Sequence, residues 1–330
     1  MRLSSLGLPV WYVMTFVALF GLIIGSFLNV AALRSISGES IILPPSKCPK
    51  CGNKLKWYHN IPILSYIFLR GKCGFCKEKI SIQYPIVEAL CALCFMLIVY
   101  WQGLTLNALF CCGFVSAAIV ISICDLREKM ISVEHTVILA LLGLLYNFLN
   151  LNGGSGLSGF WGALGGMVCG FVFVMLLIKI FNMLTDKETL GEGDAYILAA
   201  IGAIVGYKLV LISFFVTVLL QAAAMMPAFF FQYFKTKRYL TIFSILAFAS
   251  LAGIYLFAQR HFVWSLTITQ IYLIVMAITG LYACSRLLNE IKHGTIGEIT
   301  AIPLAPMLLI SGGIVFIFQF KIIDFLSSLF

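Results

Sequence analysis

The chain has 330 residues, 62% of them hydrophobic and only 11% charged, with a formal net charge of +9. A soluble domain of this length cannot hide so much apolar surface, and the recurring apolar runs of about 20 residues instead predict an all-α polytopic membrane protein. The positive charge does not call for nucleic acid: nine of the 22 Lys and Arg fall between Arg34 and Lys79 against two acids, Glu39 and Glu78, and a basic cluster beside a span marks a cytoplasmic loop.

The first apolar run, 9–33, exceeds a signal-peptide core in length and is followed by basic residues, so it reads as an uncleaved span with its N-terminus outside. About ten spans emerge in all: 9–33, 84–101, 104–124, 134–150, 159–183, 194–207, 209–232, 240–259, 265–286 and 302–322. The sixth is short, as a re-entrant or protein-buried helix would be. Loops 34–83, 125–133, 184–193, 233–239 and 287–301 hold the basic residues, whereas the loops of the opposite side are poor in charge. The positive-inside rule then gives one consistent topology with both termini outside. Three regions follow: a first transmembrane helix at 1–33, a cytoplasmic loop domain at 34–83 and a membrane-embedded domain at 84–330. Within the fifth span, Gly162, Gly166 and Gly170 form a small-xxx-small face suited to close helix packing.

The loop domain holds two CxxC knuckles, Cys48-Pro49-Lys50-Cys51 and Cys73-Gly74-Phe75-Cys76, with 21 residues between them. Two thiolates from each complete a tetrahedral site, so the spacing predicts a structural zinc ion bound by four cysteines. The competing reading is two disulfides or four free thiols, and a cytoplasmic location argues against the disulfides. His59 lies between the knuckles and reads as a surface histidine rather than a ligand. The cysteines within the spans read as small apolar residues.

Two of the four aspartates stand at membrane junctions: Asp125 ends the run 104–124, and Asp194 closes Gly191-Glu192-Gly193-Asp194. A carboxylate at the edge of a membrane is costly and marks function. The two are 69 positions apart and come from different helices. If those helices pack together, the carboxyls share a proton: the ionised one takes a proton from water and the protonated one polarises a peptide carbonyl, which is aspartyl-protease chemistry. Gly191 and Gly193 let the backbone turn sharply and a substrate strand approach. The bland alternatives are Asp194 as a helix cap and Asp125 as a helix-end residue paired with Arg127 or Lys129. Glu88, one turn inside a span, is a further candidate.

At these residues the chain resembles the type IV prepilin leader peptidases, which are GxGD-type membrane aspartyl peptidases. The likeness runs through Gly21 to Val30 and Arg34, and from Cys48 through Trp57 to Tyr66 and Arg70 to Cys76 to Glu88. It continues in Asp125-Leu126-Arg127, in Thr185 to Asp194, and in a shorter match, Ile302-Pro303-Leu304-Ala305-Pro306. The resemblance implies that Asp125 and Asp194 are the catalytic pair. The implied reaction removes the basic leader from type IV prepilins or pseudopilins at the cytoplasmic face of a bacterial inner membrane. It also implies N-methylation of the new N-terminus from S-adenosylmethionine, although no glycine-rich fingerprint for that cofactor is present. Two departures stand out. Asp194 and Pro303 lie 109 positions apart, with about two extra helices near 240–286, and Ala305 stands where the family often has Gly. A different GxGD intramembrane protease and a non-enzymatic membrane assembly or transport protein remain as alternatives.

Overall fold

The computed structural model describes residues 9–41, 45–48, 50–129, 131–149, 156–185, 191–235 and 304–329, with scattered residues between 243 and 285. The outer turn at 151–155, the acids at 186 and 188, Pro303 and most of the two extra spans expected near 240–286 lie outside them. Among the described residues the structure is helical, with two isolated antiparallel bridges, Lys47 with Lys54 and Lys72 with Lys79. The helices are α1 (Val10–Ser37), α2 (Leu64–Phe68), α3 (Gln83–Gln102), α4 (Leu106–Glu128), α5 (Val133–Phe148), α6 (Gly156–Thr185), α7 (Glu192–Val205), α8 (Val210–Lys235) and α9 (Ala305–Leu329). Among the described residues, four are long and apolar enough to cross a membrane: α1, α3, α4, and α6 over Gly159–Met183. Shorter apolar helices lie at Val133–Phe148, Val210–Met226 and Ala305–Gln319.

Two compact units share the chain. The first comprises Met1–Met175, Glu192–Thr217 and Pro303–Phe330, and the second Leu176–Gly191 and Val218–Ile302. In the second, the Tyr272 hydroxyl donates to the Leu251 carbonyl at 2.6 Å, and Gly280 packs beneath the Phe248 ring.

In the first unit, small residues set how closely helices meet. A Cβ on Gly21 would stand 2.6 Å from the Ala92 backbone, and one on Gly25 would stand 2.8 Å from that of Glu88, so α1 and α3 touch along a glycine seam. The expected face on α6 serves the same purpose: Gly166 meets Gly202 and Gly206, and Gly170 meets Leu198, all of α7 or its exit. Gly162 contributes only its carbonyl, which accepts from Tyr207 N–H at 3.2 Å.

α1 runs past the expected end at 33 to Ser37, where Gly38 in the left-handed conformation (φ 69°) returns its N–H to Arg34. Arg34 then ties down the exit by donating to the carbonyls of Ser40 and Ile41 at 3.0 and 2.9 Å. α4 begins after a three-residue turn, with the Thr105 hydroxyl capping Ala108 N–H at 3.1 Å. It continues through Asp125 to Glu128, so that aspartate sits inside the last turns of a helix rather than after it.

α7 has 14 residues, and from Asp194 to Val205 only Tyr196 is exposed. A helix that is apolar all round belongs inside protein, which fits the expectation for the sixth span. Asn147 of α5 holds its far end, donating to the carbonyls of Ala203 and Ile204 at 2.9 and 3.1 Å. These carbonyls would otherwise be orphaned at the helix terminus.

Candidate active site and metal centre

Asp125 on α4 and Asp194 on α7 lie on helices that share two neighbours. α5 packs against both α4 and α7, and α9 also packs against both. Ala305, the first residue of α9, donates its backbone N–H to Asp125 Oδ2 at 3.0 Å, fully buried. The N-terminus of a helix favours a carboxylate through its unpaired N–H groups and its dipole. Asp125 is therefore not a residue reaching for solvent. Arg127 faces elsewhere, donating from Nε and a terminal nitrogen to Gln83 Oε1 at 2.9 and 2.8 Å. Lys129 closes α4 through its backbone N–H to the Asp125 carbonyl.

Asp194 is the third residue of α7, past the cap position held by Gly191, and is 9% exposed against 5% for Asp125. Gly191 lies in exposed coil. Gly193 fits directly against Ile131, six residues after Asp125: an added Cβ would stand 2.5 Å from Ile131 Cδ1. That contact is the close approach the glycine provides, and it seats the start of α7 on the segment leaving α4. Ser132 and His135 Nδ1, 2.7 Å apart, fix the turn between Ile131 and α5. Two buried carboxylates thus stand in one unit, at the C-terminal end of α4 and the N-terminal end of α7.

The role of Ala305 was not foreseen. Its signal was present in the Ile302 to Pro306 match, but a backbone donor leaves no mark on residue type. Asn29 and Gln83 were likewise not singled out. Asn29 is fully buried, donates to the carbonyls of Gly25 and Tyr84 at 3.3 Å each, and accepts from Gln83 Nε2 at 3.4 Å. Gln83 in turn holds Arg127, so one polar chain joins α1, α3 and the end of α4. Neither Glu128 nor Glu134 forms an ion pair with Arg127 or Lys129.

The four cysteines come together. The Sγ atoms of Cys48, Cys51, Cys73 and Cys76 all lie within 4.8 Å of one another, and all four are free thiols. Thiolates about 2.3 Å from a zinc ion in a tetrahedron stand about 3.8 Å apart, and Cys48 and Cys76 are separated by 3.9 Å. The two knuckles repeat each other. Cys48 N–H donates to the Asn53 carbonyl as Cys73 N–H does to that of Glu78, at 3.0 and 2.7 Å. Gly52 N–H returns to Cys48 as Lys77 N–H does to Cys73, and both residues have positive φ, 70° and 62°.

Backbone N–H groups of Cys76 and Phe75 point at the Cys73 sulfur and bring its pKa down to about 6. At Cys76 the Glu78 N–H pulls the same way but is outweighed by burial and by the neighbouring thiols, which leave it at about 11. One thiolate, Cys73, forms readily while Cys76 resists, and a divalent cation would favour the thiolate form in such a donor set. The residues fit zinc. His59 is no part of the set: its ring lies over Gly74, where an added Cβ would stand 2.9 Å from Cε1, and stacks edge-on against Phe75.

Two family models match the chain: a bacterial peptidase A24 N-terminal domain over residues 19–102, and the type IV leader peptidase family over 112–226. A prepilin leader peptidase/N-methyltransferase of Neisseria gonorrhoeae is 33% identical over 234 residues, covering 63% of this chain and 79% of that protein. The chain belongs to the type IV leader peptidase family. A second relative of the same name, from Pseudomonas putida, is 30% identical over 60% of this chain and 74% of its own length. One from Myxococcus xanthus is 34% identical over 62% of this chain, a match that spans 58% of that longer protein. No solved structure matches. In this chain both candidate aspartates fall within the second matched segment and all four cysteines within the first.

Proposed function

We propose that this leader peptidase cuts the basic leader from type IV prepilins or pseudopilins and then methylates the new N-terminal amine. The observation that supports the cleavage most directly is the pair of buried carboxylates, Asp125 and Asp194, both within the matched family segment and on helices that share α5 and α9 as neighbours. One carboxylate accepts a proton from water as the water oxygen attacks the scissile carbonyl, and the protonated partner hydrogen-bonds that carbonyl oxygen. The departing amine then recovers a proton from the pair. Ala305 N–H steadies Asp125 Oδ2 throughout, leaving Oδ1 for the water or the shared proton. Gly191, in exposed coil, leaves room for the substrate strand before Asp194, while Gly193 seats α7 on Ile131.

Cys48, Cys51, Cys73 and Cys76 would hold a structural zinc ion, closed by four ligands and so not catalytic. The methyl group would come from S-adenosylmethionine. We assign the chain to the inner membrane of a bacterium with about ten spans, counting two near 240–286. In this reading residues 1–33 form the first helix, 34–83 the cytoplasmic zinc loop and 84–330 the peptidase, whose aspartates face the cytoplasm, as the basic loops favour.

The test is incubation of the purified protein with a full-length prepilin in detergent, read by intact mass, beside Asp125→Ala and Asp194→Ala. Loss of the leader with wild type and with neither variant is expected, together with one added methyl mass when S-adenosylmethionine is supplied. Cleavage within the apolar helix of the substrate would point to a different intramembrane protease, and undiminished cleavage by either variant would remove the assignment.

A further inference from the structure

The segment between the knuckles, 52–72, carries Lys54, Lys56, Arg70 and Lys72 and no acidic residue. It forms one 3-10 turn, Trp57–Asn60, which packs against α2. α2 and its exit turn Ser65, Tyr66 and Leu69 toward a cavity of about 560 Å³, whose other walls include Val30 and Leu33 of α1 and Pro85 of α3. Leu64, Ile67 and Phe68 share the remaining face, at the spacing of helix neighbours, and all three are exposed. Phe68 is 81% exposed, and Trp57 of the 3-10 turn is 80% exposed. A face turned to water would be polar; here the hydroxyl of Ser65 lies on the inner side and large apolar groups stand outside. Such faces mark contact surfaces.

The fold also sets the depth of this face. Ile63, which leads into α2, donates its N–H to Glu88 Oε2 at 2.7 Å. Glu88 lies five residues into α3, about 8 Å along the helix from its start at Gln83. The Ser26 side chain of α1 hydrogen-bonds the same carboxylate. Both helices cross the membrane in the expected spans 9–33 and 84–101. The segment is therefore held level with the second turn of α3 and not beyond its end. Ile63 has φ 58° and ψ −50°, the centre of a γ-turn of the rare, strained hand, with Leu64 N–H reaching the Pro62 carbonyl at 2.6 Å. Glu88 pins that turn. Helices that lie in a membrane interface bury their apolar faces by roughly 5–10 Å, which matches the depth of Glu88.

We propose that the segment between the knuckles is a lipid anchor. Trp57, Leu64, Ile67 and Phe68 enter the acyl boundary of the leaflet in which α1 ends and α3 begins, and Lys54, Lys56, Arg70 and Lys72 meet anionic phospholipid headgroups. Charge selects this occupant. Four cations without an acid suit an anionic lipid surface, whereas a second copy of the segment, or the basic leader of the proposed substrate, would bring like charges together. Trp is enriched at this boundary, and Lys lays its stem on apolar surface while its head stays in water. The inference rests on the spans and not on the reaction.

The test uses the full-length protein in nanodiscs of phosphatidylcholine brominated near the headgroup end or near the tail end of its acyl chains. Subtracting the emission of Trp57→Phe from that of wild type isolates Trp57, and melting temperature and zinc content report that the variant is folded. Shallow bromines are expected to quench about half of the Trp57 emission or more, and at least about twice as much as deep ones. p-Benzoylphenylalanine placed at Phe68 and irradiated in discs of equal phosphatidylcholine and phosphatidylglycerol should give adducts one phospholipid heavier. Phosphatidylglycerol should be favoured about threefold or more, and Lys54→Gln with Lys56→Gln should bring that ratio near one. Trp57 unquenched at both depths, equal adducts of the two lipids with wild type, or an adduct to a second copy or to added prepilin in place of lipid would each overturn the proposal.

Discussion

The cysteine block and the aspartate site are assembled in opposite ways. Each knuckle closes with hydrogen bonds that span at most nine residues, and the two knuckles repeat one pattern with an offset of 25. The aspartate site draws on Asp125, on Asp194 69 positions later, and on Ala305 180 positions from Asp125. A local site tolerates rearrangement elsewhere, because its geometry is set by its own turns. A distributed site depends on every helix that brings its parts together, and here α5 and α9 act as the shared neighbours. The lesson is that damage to the bundle should reach the carboxylates before it reaches the thiolates, and damage to the knuckles should stay on their side.

The sharpest way to break this contrast is at the carboxylates. Asp125→Asn and Asp194→Asn keep size and polarity but cannot share a proton, and either should lower leader cleavage by on the order of 10⁴-fold in a timed mass assay. Metal content should not change. Retention of a tenth of wild-type cleavage by either variant would show that the pair is not the catalytic dyad.

Next in size is the metal. Cys48→Ser or Cys73→Ser should take zinc from about one per chain to a small fraction, measured by elemental mass spectrometry, because a closed four-ligand site loses most of its affinity with one thiolate. Leader cleavage should fall less than about tenfold if the block is as local as its hydrogen bonds indicate. Complete loss of cleavage with the bundle still folded would mean that the two regions are coupled, through the Asn29, Gln83 and Arg127 chain that runs between them.

A gentler probe is Ala305→Pro. Proline is tolerated in the first turn of a helix, but here its ring would also press on Asp125 Oδ2 where Ala305 is fully buried. Removing a buried donor from a reacting group costs roughly 10- to 100-fold in rate, and cleavage should fall by at least that amount, with a lower melting temperature reporting the packing cost. Cleavage at the wild-type rate would reduce the Ala305 contact to a packing detail.

The smallest effect compares the knuckles with each other. Lys77 holds the left-handed conformation that Gly52 adopts freely, at φ 62° against 70°. Lys77→Gly should raise resistance to zinc extraction by about 0.5 kcal/mol, and Gly52→Ala should lower it by about 1 kcal/mol. Equal responses in sign would show that the two turns are not the equivalents their hydrogen bonds suggest.

Sequence by itself determined the helical membrane class and the two knuckles, and it marked the two aspartates as candidates, for definite reasons. Apolar runs of membrane length have few other destinations, thiolate spacing within a short loop dictates geometry, and a carboxylate at a membrane edge is too costly to be incidental. It also marked the short sixth span as a re-entrant or protein-buried helix, and α7 is buried along its length but for Tyr196. Tertiary structure alone decided the rest. That Asp125 receives a backbone N–H from Ala305, that Gly193 rests on Ile131, and that Glu88 turns to the Ile63 N–H all follow from packing between distant segments. A backbone donor is the same for every residue but proline, so no choice of side chain could announce it. Glu88 shows the division well: its place one turn inside a span made it conspicuous, and only the folded chain revealed that it lies buried at a cavity wall and accepts the Ile63 N–H.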